Sequence, residues 1–315
     1  MPPTRRFVVP GIASGGRDRQ ISPPVDGTRD AFGAWPARLT WLLLPLVSGP
    51  ALGDALNGTS RPVQVVASVG LWVGWAAVLV ATLVPTTVSL TALRVVAPAA
   101  VVAAGAALVA GDTSTADTVG LAGALAAGLA AFWPGTGEVF VDGSSYGDER
   151  RMPLRVPGPL LAGPLVVVWA VAAAGVSAGP LLLAARQWVG GAVALAVGLP
   201  AAWFAVRAMH RLTRRWVVFV PNGMVVHDPL ALAEPVLLRR AAVRSFGPAP
   251  ADTTALDLTR GALGLALEID VTPPVDLLLV RTGRDAAEAA ETGALLISPT
   301  RPGAVLDEAR RRRMA

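Results

Sequence analysis

The chain has 315 residues, of which 53% are apolar and 16% charged, with a formal net charge of +5. Soluble proteins carry roughly 25% charged residues, so the shortfall points to membrane-spanning segments. All 27 basic residues are arginine and there is no cysteine, which excludes disulfides, thiol catalysis, thiolate metal sites, a Walker-type phosphate loop and Schiff-base chemistry.

Two histidines, His210 and His227, cannot build a His-rich metal site alone. No cofactor motif is present, and no cofactor is expected. The arginines gather at the ends of apolar runs, a placement that favours anionic lipid headgroups over nucleic acid as the partner.

Residues 1–36 are rich in Arg, Pro, Gly and Asp without an apolar period, which predicts a disordered cytoplasmic tail. No apolar stretch follows Arg5 and Arg6, so the start does not read as a cleaved signal peptide. Residues 37–210 predict a transmembrane bundle of six spans, at about 37–55, 63–84, 88–110, 118–133, 160–176 and 189–209. Pro45 and Pro50 predict a kink in the first span. Arg94, near the start of the third, is placed to snorkel to the boundary. An apolar shoulder, Leu181 to Ala185, precedes the sixth.

This threading puts the N-terminal tail, Arg94, Arg150, Arg151, Arg155 and the Arg207 to Arg215 cluster on one side, with Arg61 and Arg186 opposite. By the positive-inside rule the arginine-rich side is cytoplasmic, and both termini lie there. Gly70 and Gly74 form a G-x-x-x-G, and Gly191, Ala194 and Gly198 form a second small-residue face. Either can bring helix backbones close, although small-x-x-x-small matches also arise by chance in so Ala- and Gly-rich a sequence.

Residues 134–158 read as a long polar cytoplasmic loop carrying Tyr146, the one tyrosine, with acids and three arginines. Loops of this length are often functional or disordered, and both readings stand. Gly143 to Gly147 matches G-x-S-x-G. A nucleophile elbow needs a strand before the serine, a helix after it, and a His–acid pair. Asp142, Asp148 and Glu149 read more simply as acids neutralising Arg150 and Arg151.

From residue 211 the pattern changes. Trp216 to Val220 and Met224 to His227 are β-branched and apolar, joined by Pro221-Asn222-Gly223, a hairpin signal. Further strands are predicted at Val236 to Leu238, Ala242 to Phe246, Leu263 to Val271, Val275 to Arg281 and Ala294 to Ser298. Thr300 to Arg310 carries a capping threonine, a proline just inside, early acids and late arginines, which are helix signals.

The opening hairpin, the basic Arg239-Arg240-x-x-x-Arg244 stretch, and the closing Ile297-Ser-Pro-Thr-x-Pro before a helix resemble the pleckstrin-homology-like domains of bacterial membrane proteins. The resemblance covers the last third of the chain. It implies a small barrel of two sheets plugged by the helix, used for binding or assembly rather than catalysis, and carries over no ligand residue. The expected fold is therefore a multi-pass α-helical membrane protein with a cytoplasmic α+β domain over 211–315, placed in the bacterial inner membrane. The expected role is a non-enzymatic scaffold that binds a partner, or a second copy of itself, near the inner leaflet. A permease or lipid translocator regulated by the domain is the alternative, and a membrane enzyme using residues 134–158 is a third reading. Tyr146, Arg150, Arg151, Arg155, Arg207, Arg211, Arg214 and Arg215 are the predicted contacts to lipid headgroups or partner.

Overall fold

The structure, a computed structural model, describes residues 33–110, 114–280 and 287–314. The predicted tail lies outside them as far as residue 32, as do Asp112 and Arg281. Among the described residues six helices are long and apolar enough to cross a membrane: α1 (Trp35–Asn57), α2 (Arg61–Leu83), α3 (Thr87–Ala110), α4 (Thr115–Phe132), α7 (Pro164–Ala184) and α8 (Trp188–Thr213). The fifth is displaced from the sequence expectation. It starts at Pro164 and absorbs the apolar shoulder, running through Pro180 to Ala184, because an apolar helix packed on a neighbour tolerates an internal proline. Helix α1 likewise continues through Pro45 and Pro50.

Helices α1 to α4 share one core, built on Trp41, Val78, Leu90, Leu93, Ala97, Ala127 and Ala131. Polar groups inside this apolar bundle bond across helices. Trp41 Nε1 donates to the Trp75 carbonyl and Trp75 Nε1 to the Trp41 carbonyl, each at 2.9 Å. Ser48 Oγ donates to the Gly120 carbonyl at 2.7 Å. Interhelical hydrogen bonds of this kind are a main source of specificity where water is absent.

The α7–α8 hairpin attaches to that group through Trp169 Nε1, which donates to the Val95 carbonyl at 2.8 Å, and through a Thr91–His210–Thr213 cluster. Its two backbones touch at Gly175 and Gly198, and Gly191 lies against Leu183. The Gly191–Gly198 face therefore makes close contacts. The Gly70-x-x-x-Gly74 face does not: nothing lies within 4 Å of a side chain built at Gly70, and only Val96 at 3.7 Å from one at Gly74. Arg94 reaches toward the residues that follow α4 and is half-buried there. Its guanidinium sits 5.7 Å from the Phe132 ring and against Gly137, whose missing side chain leaves the room.

Residues 134–158 are not a free loop. Pro134, pre-set for a first helical turn, opens α5 (Pro134–Asp142), whose Phe140 and Val141 are buried in the bundle core. Strand β1 (Arg150–Pro153) and a single turn, α6 (Gly158–Leu161), follow. Strand β1 pairs with β2 (Trp216–Val220), which pairs with β3 (Gly223–His227), which pairs with β4 (Val236–Arg239). The domain therefore does not begin at residue 211, because it takes one edge strand from between the fourth and fifth of the long apolar helices.

The second sheet has the order β5-β7-β8-β6, from β5 (Val243–Pro248), β6 (Leu256–Asp257), β7 (Leu267–Val280) and β8 (Ala287–Ile297). The two strands expected on either side of Pro273-Pro274 are one long strand, β7, whose register shifts between Asp270 and Val275 at the prolines. Isolated bridges, Leu154 to Pro299 and Leu232 to Leu279, connect the sheets without a continuous ladder, so the expected barrel is not closed. Both sheets and the last helix, α9 (Pro302–Arg311), bury one core that includes Met152, Phe219, Leu238, Ile269, Leu295, Val305 and Ala309.

The glycine contacts give a direct test of the α7–α8 seam. A side-chain carbon at Gly198 would meet the Gly175 Cα and carbonyl at 2.9 Å. Gly198→Val is expected to destabilise the protein in detergent by about 1–3 kcal/mol, the usual cost of overpacking. Gly70→Ala is expected to leave its melting temperature unchanged or slightly raised, and equal losses for the two variants would contradict the packing described.

Candidate functional site at the junction of bundle and sheet domain

The junction is assembled from acids and arginines that sequence patterning reads as a solvated loop and a lipid-facing cluster. Asp142, the last residue of α5, organises the turn into β1. Its Oδ1 accepts from Ser145 Oγ at 2.7 Å and from the Arg151 backbone N–H at 2.8 Å, and its Oδ2 lies 3.5 Å from Arg150 Nε. Strand β1 then runs antiparallel to β2, with Arg150 opposite Phe219, Met152 opposite Val217 and Pro153 opposite Trp216. A proline at the end of an edge strand costs no ladder bond. The chain stays docked beyond it: Leu154 N–H donates to the Arg215 carbonyl at 2.9 Å and Arg155 N–H to the Ser298 carbonyl at 2.8 Å.

Arg215 is the centre of the junction. Its Nε and Nη2 donate to Asp228 Oδ1 and Oδ2 at 2.8 and 2.6 Å, and its Nη1 donates to the Arg155 carbonyl. The side chains of this pair are 1% and 0% exposed. Asp228 Oδ1 also accepts from the Leu230 N–H at 3.0 Å, fixing the turn after β3. The end of α8, the exit from β3 and the segment after β1 are thus held by one guanidinium. The fork of donors on an arginine suits such bidentate pairing.

Two further contacts tie α9 to the same region. Arg301, just before α9, donates to Glu138 Oε2 of α5 at 2.6 Å. Arg312 donates to the Asp148 carbonyl at 2.6 Å and lies over the Phe219 ring. Glu308 accepts from Arg311 and from Arg312 Nε. Burial pushes the Glu308 carboxyl up, but the hydrogen bonds from Arg312 and Arg311 outweigh it, and the net position is below the ordinary carboxylate range.

The predicted contact residues therefore divide. Arg150 and Arg151 are in β1, and Arg151 lies over the Trp216 ring and 3.5 Å from Glu149. Arg155 Nη1 donates to the Leu263 carbonyl at 2.6 Å. Arg215 is buried and faces no lipid, because Asp228 and the Arg155 carbonyl take its donors; sequence proximity to Arg214 concealed this. Arg207, Arg211 and Arg214 are exposed near the end of α8, with Arg211 Nη2 reaching the Pro229 carbonyl at 3.4 Å. Tyr146 is 88% exposed.

In G-x-S-x-G the serine follows a helix and precedes a strand, the reverse of a nucleophile elbow. Ser145 is bonded to Asp142, His210 to Thr91, and His227 stacks on Trp216 with ring centroids 4.7 Å apart. Among the described residues no group of three His, Cys, Asp or Glu is placed to hold a metal. Asp228 and Arg301 escaped sequence reasoning. The one signal for Asp228 was an acid in an Asp-Pro turn directly after a strand.

Two clefts flank the junction. One is lined by Gly33, Gly135, Glu138, Asp142, Arg150 and Arg301. The other lies on the outer face of the first sheet, between Glu149, Arg151, Trp216, Val225, His227 and Pro235. Beside Val225 in the ladder stands Leu237, 48% exposed. No protein-family model matches the chain, and neither do curated proteins or solved structures.

Burial, and then the positive field of Arg214, hold the His227 imidazole below its ordinary value; Arg151 adds to this and Asp228 opposes it. A folded-state value below the unfolded one means the unfolded chain binds the proton more readily. The contribution of His227 is thus complete above about pH 6.5 and is lost as pH falls through its lower folded value. His227→Gln is expected to flatten the stability–pH profile below that point, and an unchanged profile would contradict the assignment. Asp228→Asn leaves Arg215 buried without its counter-charge and is expected to cost about 3–5 kcal/mol in thermal or denaturant unfolding. A loss no larger than that of an exposed substitution would show that the pair does not hold the junction.

Proposed function

We propose that the chain is a multi-pass protein of the bacterial inner membrane, a non-enzymatic scaffold that presents its sheet domain to a protein partner or a second copy at the cytoplasmic face. The observation that carries this reading is the rigid attachment of the domain. It shares β1 with the interhelix segment and is clamped by Arg215, so its outer sheet face has a fixed direction relative to the bundle. Orientation rests on charge. Arg38, Arg94, Arg150, Arg151, Arg155, Arg207, Arg211, Arg214 and Arg215 belong to the domain end of the bundle, and Arg61 and Arg186 to the other. Exposed Arg207, Arg211 and Arg214 are placed to meet anionic headgroups.

The partner surface in this reading is the outer face of the first sheet, with Val225 and Leu237 as its apolar centre and Glu149, Arg151 and His227 at its rim. A pleckstrin-homology-like identity for the domain is part of the proposal, supported by two packed sheets with a C-terminal helix. The translocator reading has less support, because Trp41, Trp75, Ser48, Thr91 and Trp169 are engaged in helix–helix bonds rather than lining a path.

The full-length protein and its Val225→Arg/Leu237→Glu variant, solubilised in detergent from the native membrane, test the proposal. Co-purifying proteins, or the self-associated form seen by size exclusion with light scattering, are expected with the parent chain and to be lost with the variant. An unchanged partner set and an unchanged mass would overturn it. Protease added outside intact cells is expected to spare residues 216–315, and their removal would reverse the orientation.

A further inference from the structure

We infer that the loop between β6 and β7 is a second membrane contact, inserting Leu263 and Leu265 into the headgroup–acyl boundary beside the start of α7. The inference rests on the reading of α7 as a membrane span. Leu263 and Leu265 are 71% and 48% exposed, and neither belongs to the buried core of the sheet domain. Leu161, the last residue of α6, is also exposed, at 51%.

The loop is fixed against the chain that enters the membrane. Gly158 N–H donates to the Gly261 carbonyl at 3.1 Å. A side-chain carbon at Gly158 would meet the Leu263 Cγ at 3.1 Å, so this glycine is where the leucine rests. Gly261 in turn faces the Pro159 ring. From below, Arg155 Nη1 holds the Leu263 carbonyl at 2.6 Å. Arg260 anchors the start of the loop through the Leu230 and Val280 carbonyls, at 2.8 and 2.6 Å from its Nη2. Gly264 has φ +104° and packs on the Arg155 guanidinium, leaving no room for a side chain there. The leucines are therefore held outward by a braced loop.

Depth follows from helix geometry. Helix α7 has 21 residues, about 31 Å at 1.5 Å per residue, which matches a hydrocarbon core of about 30 Å. Pro164 then stands near the edge of the core. Residues 162 and 163 are all that separate it from α6, against which Leu263 rests. That places the loop within the interfacial layer, about 5–8 Å thick on each side. Exposed leucines flanked by arginines are the chemistry of an interfacial anchor, and α6, on which Leu263 rests, leads within two residues into the apolar α7. A lipid surface is thus the occupant that this geometry fits.

The absence of cysteine allows single nitroxide labels in the full chain. Leu263→Cys, Val197→Cys on the exposed face of α8 and Ala289→Cys on β8 would each be reconstituted in phosphatidylethanolamine–phosphatidylglycerol vesicles. Collision with oxygen and with a neutral nickel chelate would be measured by power saturation. The label at 263 is expected to follow that at 197, with nickel accessibility several-fold below that at 289. A 263 label as nickel-accessible as 289, with 197 in lipid, would overturn this inference alone. A 263 label shielded from both reagents would overturn it in favour of a protein contact. A 197 label as nickel-accessible as 289 would overturn the membrane reading and the inference with it.

Discussion

One buried guanidinium sets the architecture. Arg215 stands two residues beyond the end of α8, yet its side chain leaves the bundle and closes on Asp228 and the Arg155 carbonyl. Desolvating such a pair costs several kcal/mol per ion, which only good geometry with satisfied donors can offset. Here Nε, Nη1 and Nη2 each have an acceptor, and both carboxylate oxygens are used. Such a pair adds little net stability over a well-packed apolar alternative. It does penalise every arrangement in which the three segments are not together, because separating α8 from the exit of β3 strands a buried charge and losing the segment after β1 leaves a buried donor without its acceptor. Its contribution is to position more than to stabilise.

From that constraint follows the way the halves meet. Strand β1 can pair with β2 because Arg215 fixes where β2 begins and Arg155 where β1 ends. Asp142 fixes the opposite end of β1 by gathering Ser145, Arg150 and the Arg151 N–H. Glu138 reaches Arg301 across the same seam. The sheet domain is consequently an extension of the bundle, and its outer face inherits a fixed orientation. A scaffold needs that property, and a domain swinging on a linker would lack it.

Much of this was legible in the residues, for physical reasons that differ by region. The six long helices announce themselves through long apolar runs with few charges, and the hairpin from Trp216 to His227 through two β-branched apolar runs joined by an Asn-Gly turn. Helix α9 is marked by Pro302 and its late arginines. What escaped notice depended on contacts distant in sequence. Pro134-Gly-Thr-Gly looks like a turn until Phe140 and Val141 have a bundle core to enter. Arg150-Arg-Met-Pro has no strand signature of its own, and becomes a strand because β2 offers an unpaired edge. Arg215 reads like its neighbours Arg211 and Arg214, and only Asp228, beyond a hairpin, separates their roles. Gly70 and Gly198 are equivalent in pattern, but only Gly198 has a backbone opposite it.

The claim on which the rest depends is that residues 150–155 are part of the folded sheet rather than a connector between spans. Amide hydrogen exchange on the full-length protein in detergent measures this directly, because exchange reports the opening of the hydrogen-bonded unit to which an amide belongs. Peptides covering 150–155 are expected to exchange with the slow class that contains β2 and β3. Exchange of those peptides as fast as the exposed turn around Tyr146, with β2 and β3 still protected, would contradict the account.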